Sequence, residues 1–146
     1  MTDTDRQAWE NGLIAEMRTN GGVPTSGPLA GHPLLVMTAI GAKSGEPRRT
    51  ILTYSRDGAA YVVAGTKGGA PTDPAWLANL RANPTVTIEI GTRTFEATAS
   101  VVEGGDRDRL WDAHVAALPW FAPYPQKSGR VIPIVRLTEI AGVAVG

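Results

Sequence analysis

The chain has 146 residues, and its 14 Lys plus Arg equal its 14 Asp plus Glu, so the formal net charge is zero. That length is one domain by size, enough to bury about two thirds of the unfolded surface without staples. Balanced charge argues against a global field for nucleic acid or anionic lipid, the lack of cysteine excludes disulfides and thiolate metal sites, and two histidines, His32 and His114, argue against a histidine-built metal centre.

The N-terminus, MTDTDRQAWE, is acidic and polar, without a signal peptide's apolar core. No apolar run approaches the roughly 20 residues that span a bilayer. The expectation is a cytoplasmic protein with no nucleic-acid partner. Residues 3–19 predict a first helix, capped by Thr2 or Asp3, with Trp9, Leu13, Ile14 and Met17 as its apolar stripe. Packing of that stripe on the rest of the domain is favoured over peripheral contact with a membrane. NGGVPTSGPLAGHP breaks every period and reads as loop or linker. The division is therefore a helix and linker over 1–29 and a main domain over 30–146.

LLVMTAI (34–40) has strand length, and 50–56 predicts the next strand. Arg56-Asp57-Gly58 reads as a hairpin turn, since Asp-Gly accepts positive φ, and 59–65 returns antiparallel. Asp73 before Pro74 reads as a helix cap with proline in the first turn, opening a short helix that ends near Asn83-Pro84. TVTIEI (85–90) alternates as a half-buried strand does, and Gly91-Thr92 turns it into a long partner over 93–102. A further helix is predicted over 105–118, then an aromatic, proline-rich loop over 118–129. RVIPIVRLTEI (130–140) closes the chain as a strand, with Pro133 pointing to an edge or a bulge. About six strands and three helices with hairpin connections give an α+β class, mostly antiparallel: a small barrel with helices over its openings.

Three stretches carry chemistry. GAKSGEPRRT (41–50) gathers Lys43, Arg48 and Arg49 around a bend where Gly41 and Gly45 expose backbone N–H groups, a concavity suited to an anion. Composition alone favours a solvated hairpin tip over a phosphate site here, and the P-loop spacing is absent. AGTKGGAPTDPAW (64–76) places Lys67 beside the Thr66 hydroxyl after a strand. LPWFAPYP crowds Trp120, Phe121 and Tyr124 on a loop, as a binding face or as a core cap. No Ser-His-Asp set is arguable. His114, mid-helix among apolar neighbours, reads as structural, and Asp106, Asp108 and Asp112 read as a solvent face. An enzyme of this composition leaves the hard chemistry to a cofactor.

Taken together, LLVMTAIGAKSGEPRRTILTY, VVAGTKGGAPTDPAWLANLRANPTVTIEIG and RVIPIVRL resemble the deazaflavin-dependent nitroreductase family, A-type flavin/deazaflavin oxidoreductases of mycobacteria and related actinobacteria. The resemblance covers roughly 30–140. It implies a split β-barrel of the FMN-binding type and coenzyme F420, a deazaflavin with a phospholactyl-oligoglutamate tail, whose reduced form donates hydride. It assigns the tail to the G-x-K-[ST]-G-x-x-R turn, hence Lys43, Ser44, Gly45 and Arg48, with Arg49 as an extra cation. It assigns the ring side to Ala64, Thr66 and Lys67, and the cleft to Trp76 and Asn79 of DPAWLANL. The acceptor would meet Leu118, Trp120, Phe121 and Tyr124, with Tyr124 the candidate proton donor. Nitroimidazole-reducing members carry several tyrosines in that loop and this chain keeps one, so the implied acceptor is a quinone or an α,β-unsaturated carbonyl compound. The alternatives are a non-catalytic F420 or lipid-binding barrel, and an FMN-dependent reductase. A monomer and a homodimer are both compatible with the resemblance.

Overall fold

The computed structural model of the chain describes residues 3–19, 23–24 and 31–144. In chain order these form α1 (Asp3–Thr19), β1 (Leu34–Ile40), β2 (Pro47–Thr53), β3 (Ser55–Asp57), β4 (Ala60–Ala64), α2 (Ala75–Ala82), β5 (Thr85–Ile90), β6 (Arg93–Val102), α3 (Gly104–Ala117), α4 (Tyr124–Ser128) and β7 (Ile134–Ala144). Single turns of 3-10 helix lie at Lys67–Gly69 and Pro119–Phe121.

The strands form one antiparallel sheet in the order β2-β1-β5-β6-β7-β4-β3. Its two ends are neighbours in sequence, because only Tyr54 separates β2 from β3. Residues 47–53 pair with β1, from Ile40↔Pro47 to Leu34↔Thr53, and residues 55–57 pair with β4. The sheet curls until its ends join at Tyr54 and diverge beyond it. This is a split β-barrel of α+β class.

The side-chain period of two explains where the core lies. Along β6, Phe95, Ala97 and Ala99 point inward and are buried, while Thr98 and Ser100 are exposed. They meet Leu35, Met37, Val63, Ile88 and Leu137 from neighbouring strands, and α2 closes this core with Trp76, Leu77 and Leu80. Strand β1 is buried on both faces: Leu34 and Val36 turn the other way and take Leu13, Ile14 and Met17 of α1. A third cluster joins Val62, Ala64, Ile132 and Ile134 to Leu110 of α3 and to Leu118 and Phe121. No helix among the described residues is long and apolar enough to cross a membrane.

Several sequence expectations change. Trp9 is 46% exposed, because the face holding Leu13, Ile14 and Met17 continues at helical spacing through Glu10 and Arg6 rather than Trp9. Thr2, one proposed cap, lies outside the described residues. The strand expected over 50–56 starts at Pro47 and breaks at Tyr54. The hairpin turn is Gly58-Ala59, with Gly58 at φ +59° and Asp57 still paired to Ala60. Asp73 does not cap α2; extended Pro74 occupies that position, and the Asp73 carboxylate accepts from Arg130 Nη1 at 3.0 Å. The segment 118–129 is not irregular loop, since Pro119 and Pro125 sit where proline favours a helical first turn. Pro133 precedes β7, which lies between β6 and β4 and is no edge; the irregularity falls between Phe95 and Ala97. The described residues hold seven strands and four α-helices.

His114 is fully buried, its Nδ1 2.7 Å from the Ser55 hydroxyl and its Nε2 without a partner among the described residues. Desolvation disfavours the imidazolium and lowers the pKa to about 4. The unfolded chain binds that proton near 6.5, so this contribution to stability is complete above that value and is lost as pH falls toward 4. Urea unfolding at pH 8 and pH 5 should show a loss of about 2 kcal/mol assignable to this group. In His114→Leu that component of the pH dependence should vanish; equal slopes in the two proteins would refute the assignment.

Candidate functional site

The β1–β2 turn is wound tightly by its own backbone. Gly41 N donates to Glu46 O at 2.8 Å, Gly45 N to Gly41 O at 2.9 Å, and Glu46 N to Ser44 Oγ at 3.2 Å. Gly45 sits at φ +69°, a conformation that favours glycine. A Cβ on Gly41 would come within 2.4 Å of Ser44 Oγ. The glycine amides expected to face an anion are thus consumed inside the turn. Ala42 N is taken as well, by Asn79 Oδ1 of α2 at 2.9 Å. Among the described residues this leaves the amides of Lys43 and Ser44 unpaired at the bend.

That Asn79 bond sets the turn over α2 and defines a cleft of about 760 Å³. Lys43, Ser44 and Arg48 line its mouth, and Trp76, Ala75 and Ile51 line its apolar part. Its far wall is α1, through Arg6 and Glu10. The charges are not equivalent. Arg49 Nη2 donates to Glu10 Oε1 at 3.3 Å. Arg48 comes no nearer than 3.9 Å to Glu46, an exposed pair worth little. Lys43 has no acidic partner among the described residues. The mouth therefore presents uncompensated positive charge beside an apolar shelf.

Of the residues singled out in the sequence, Lys43, Ser44, Arg48, Arg49, Trp76 and Asn79 come together here, with Gly45 at the bend. Ala64 is buried at the end of β4. Thr66 and Lys67 follow it on the loop that leads into α2, outside the lining of this cleft. Lys67 adopts φ +47°, and its Nζ donates to Thr72 Oγ1 at 3.4 Å. Leu118 and Phe121 are buried in the third cluster. Tyr124 is half-buried and meets Phe121 edge-on, with ring centroids 5.4 Å apart. Trp120 is exposed and stacks on His32 at 4.3 Å. With Tyr54, Ser55 and Leu118 these two rings line a second cavity of about 590 Å³, at the opposite end of the β1–β2 hairpin from the cationic turn. Burial raises the Tyr54 pKa there.

Outside these sites, Arg109 and then Arg136 hydrogen-bond Asp57 and Asp106 and hold both carboxyls below the usual range. Asp106 therefore belongs to an ion-pair network on the barrel surface, not to a purely solvated face.

Residues 12–139 match the family model for F420H(2)-dependent quinone reductase. The chain belongs to that family. It is 42% identical over 110 residues to an F420H(2)-dependent quinone reductase of Mycobacterium tuberculosis, covering 73% of this chain and 74% of the relative. A solved F420-H2 dependent reductase, FDR-A, is 36% identical with a TM-score of 0.66, over 72% of this chain and 93% of its own. A chain solved as a domain-swapped dimer is 31% identical with a TM-score of 0.68, over 93% and 99% of the two chains.

The family match begins at residue 12, so Arg6 and Glu10 lie before it. Sequence reading missed both as cleft residues; the available signal was the helical spacing that puts them above Leu13 and Met17. It also missed Arg130, whose four hydrogen bonds gather the loop before α2.

Because a single amide–carboxamide bond ties the turn to α2, Asn79→Ala should free it. A net hydrogen bond contributes about 0.5–1.5 kcal/mol. Amide exchange at Ala42 should then accelerate by up to about tenfold, while amides between β5 and β6 stay unchanged. Identical exchange at Ala42 in the variant would show that the tether is not what orders the turn.

Proposed function

We propose that the chain binds reduced coenzyme F420 in the cleft between the β1–β2 turn and α2, and reduces a quinone. The observation that carries this reading is Lys43, without an acidic partner among the described residues, and Arg48, only weakly paired with Glu46, beside the apolar shelf of Trp76. A cofactor with an apolar ring and an extended anionic tail needs that division of one cleft. The donor set fits it: two cations, two amides at Lys43 and Ser44 that are unpaired among the described residues, and a volume of about 760 Å³.

Lys43 and Arg48 hold phosphate and carboxylate oxygens, Lys43 as a point charge and Arg48 as a planar fork. Arg49, engaged with Glu10, orients α1 and lends a second layer of charge. Trp76 and Ile51 take the apolar part and exclude water from it. Beyond the lining of this cleft, we assign the ring side to the loop that follows Ala64, where the Thr66 hydroxyl and the Lys67 ammonium would stabilise negative charge that develops during reduction. When bound, reduced F420 supplies the hydride. The chain's part is orientation and charge stabilisation. Tyr124 opens α4, the helix whose Lys127 packs on Gly69 of the 67–69 turn, and it is the phenol we assign to proton delivery.

Among acceptors, a flat hydrophobic quinone or enone suits a loop with one phenol better than a nitroimidazole, whose reduction loads charge on nitro oxygens. Trp120 is the aromatic face the loop exposes to it. Likeness to a chain solved as a domain-swapped dimer supports a homodimer as the assembly. FMN, with one phosphate, would leave much of the cationic mouth unused.

Titration of tryptophan fluorescence should show F420 binding more tightly than FMN. Lys43→Ala and Arg48→Ala should each weaken F420 binding by about fivefold to tenfold, between the worth of an exposed ion pair and that of a shielded charge-assisted hydrogen bond. The loss should shrink at high salt. At catalytic protein levels, F420H2 oxidation should run faster with menadione or cyclohexenone than with a bicyclic nitroimidazole, and Tyr124→Phe should lower kcat. Saturable F420 binding without turnover on any acceptor would make the protein a carrier; tighter binding of FMN would overturn the cofactor.

A further inference from the structure

The loop 65–73 carries Thr66 and Lys67 and ends at the helix that presents Trp76 and Asn79. Within it, Gly69 N donates to Thr66 O at 2.9 Å and Ala70 N to Lys67 O at 3.2 Å, which closes one 3-10 turn but does not reach Gly65 or residues 71–73. Its 3-10 turn holds Lys67 at φ +47°, a left-handed conformation that is costly for a residue with a side chain. Its own side-chain contact is the long one from Lys67 to Thr72. Such a segment keeps one conformation only if its surroundings impose it.

Those surroundings are concentrated on Arg130. Its guanidinium donates through Nη2 to Gly65 O at 2.8 Å and to Thr66 O at 3.1 Å, through Nε to Ala70 O at 3.1 Å, and through Nη1 to Asp73 Oδ1 at 3.0 Å. One planar group thus grips both ends of the loop. Its side chain is 15% exposed, so these bonds are largely shielded from water. Arg130 is itself fixed. Ser128 Oγ accepts from Arg130 N at 3.3 Å, Gly129 turns the chain at φ +71°, and Pro133 O receives Gly65 N at 2.9 Å. The Lys127 side chain lies where a Cβ on Gly69 would fall, 2.6 Å away.

We infer that Arg130 is a positioning residue for cofactor binding: it holds the 65–73 loop in the strained form that presents Lys67. This rests on the assignment of that loop and the Trp76 cleft to F420. The segment 118–130, whose aromatic residues invite a reading as a substrate lid, has a second task, which is to deliver this clamp. A lysine at 130 cannot replace it, because an ammonium lacks the rigid fork that reaches four acceptors at once.

The test compares wild type, Arg130→Lys, Lys67→Ala and the double variant. Its readouts are F420 affinity by tryptophan fluorescence, amide exchange of the apo proteins and thermal midpoints. Arg130→Lys should accelerate exchange across 65–73 while β5–β6 amides stay protected, and should weaken F420 binding by about tenfold. In the Lys67→Ala background the same change should cost less than about twofold more, since the clamp acts through what the loop presents. A purely structural role would lower the affinity by the same factor in both backgrounds, and that result overturns the inference. Unchanged affinity in Arg130→Lys overturns it too, as does unchanged exchange. If wild type shows no saturable F420 binding, the cofactor assignment fails instead, and with it the role given to the clamp.

Discussion

Everything in this fold hangs on one continuous stretch, residues 47–57, serving two neighbours in turn. Its first half pairs with β1 and its second with β4, and the change of partner happens at Tyr54. A closed barrel would have no edge to offer. Here the bend joins the sheet's ends at one level and parts them above it, so β2 keeps a free side. The gap that follows needs filling by something other than a strand, and α2 supplies Trp76, Leu77 and Leu80. The cleft is what remains open between this helix and the free side of β2.

That geometry decides which cations matter. Arg48 and Arg49 are adjacent on β2, and successive strand residues point to opposite faces. Arg49 finds Glu10 of α1, while Arg48 and Lys43 find no comparable partner among the described residues. The helix is docked by burial of Leu13, Ile14 and Met17 on the outer side of β1, and by an ion pair between Arg18 and Glu89 at its far end. Apolar burial at roughly 25 cal/mol per Å² outweighs such surface pairs. The ion pairs therefore fix where α1 points more than whether it binds.

Much of this was legible. Strict alternation in TVTIEI and RTFEATASVV marked β5 and β6, the Gly91-Thr92 turn joined them, and Leu13, Ile14 and Met17 marked the inner face of α1. The cationic turn stood out because Lys43, Arg48 and Arg49 sit within seven residues. What escaped was tertiary. No local rule says that Tyr54 ends one pairing and begins another, since both halves have strand character. Asp73-Pro74 has the form of a helix cap, yet a guanidinium from 57 residues away claims the carboxylate. Arg130 looked like the polar start of a strand, because nothing near it in sequence reveals four carbonyl and carboxylate acceptors.

The two segments assigned to the cofactor in our proposal are thus held by different physics. The turn at 41–46 is ordered from within, by glycines, by Ser44 and by internal backbone bonds, and needs only Asn79 to set its place. The loop at 65–73 has internal bonds only in its 3-10 turn, and its two ends are held from outside, by Arg130 and the close approach of Lys127. A locally wound turn tolerates changes in the rest of the barrel and keeps its cations in register. An externally clamped loop transmits them, so the identity of residues in the 118–130 segment can alter how Thr66 and Lys67 are held. Divergence in acceptor preference among such proteins then has a route that leaves the cationic turn intact.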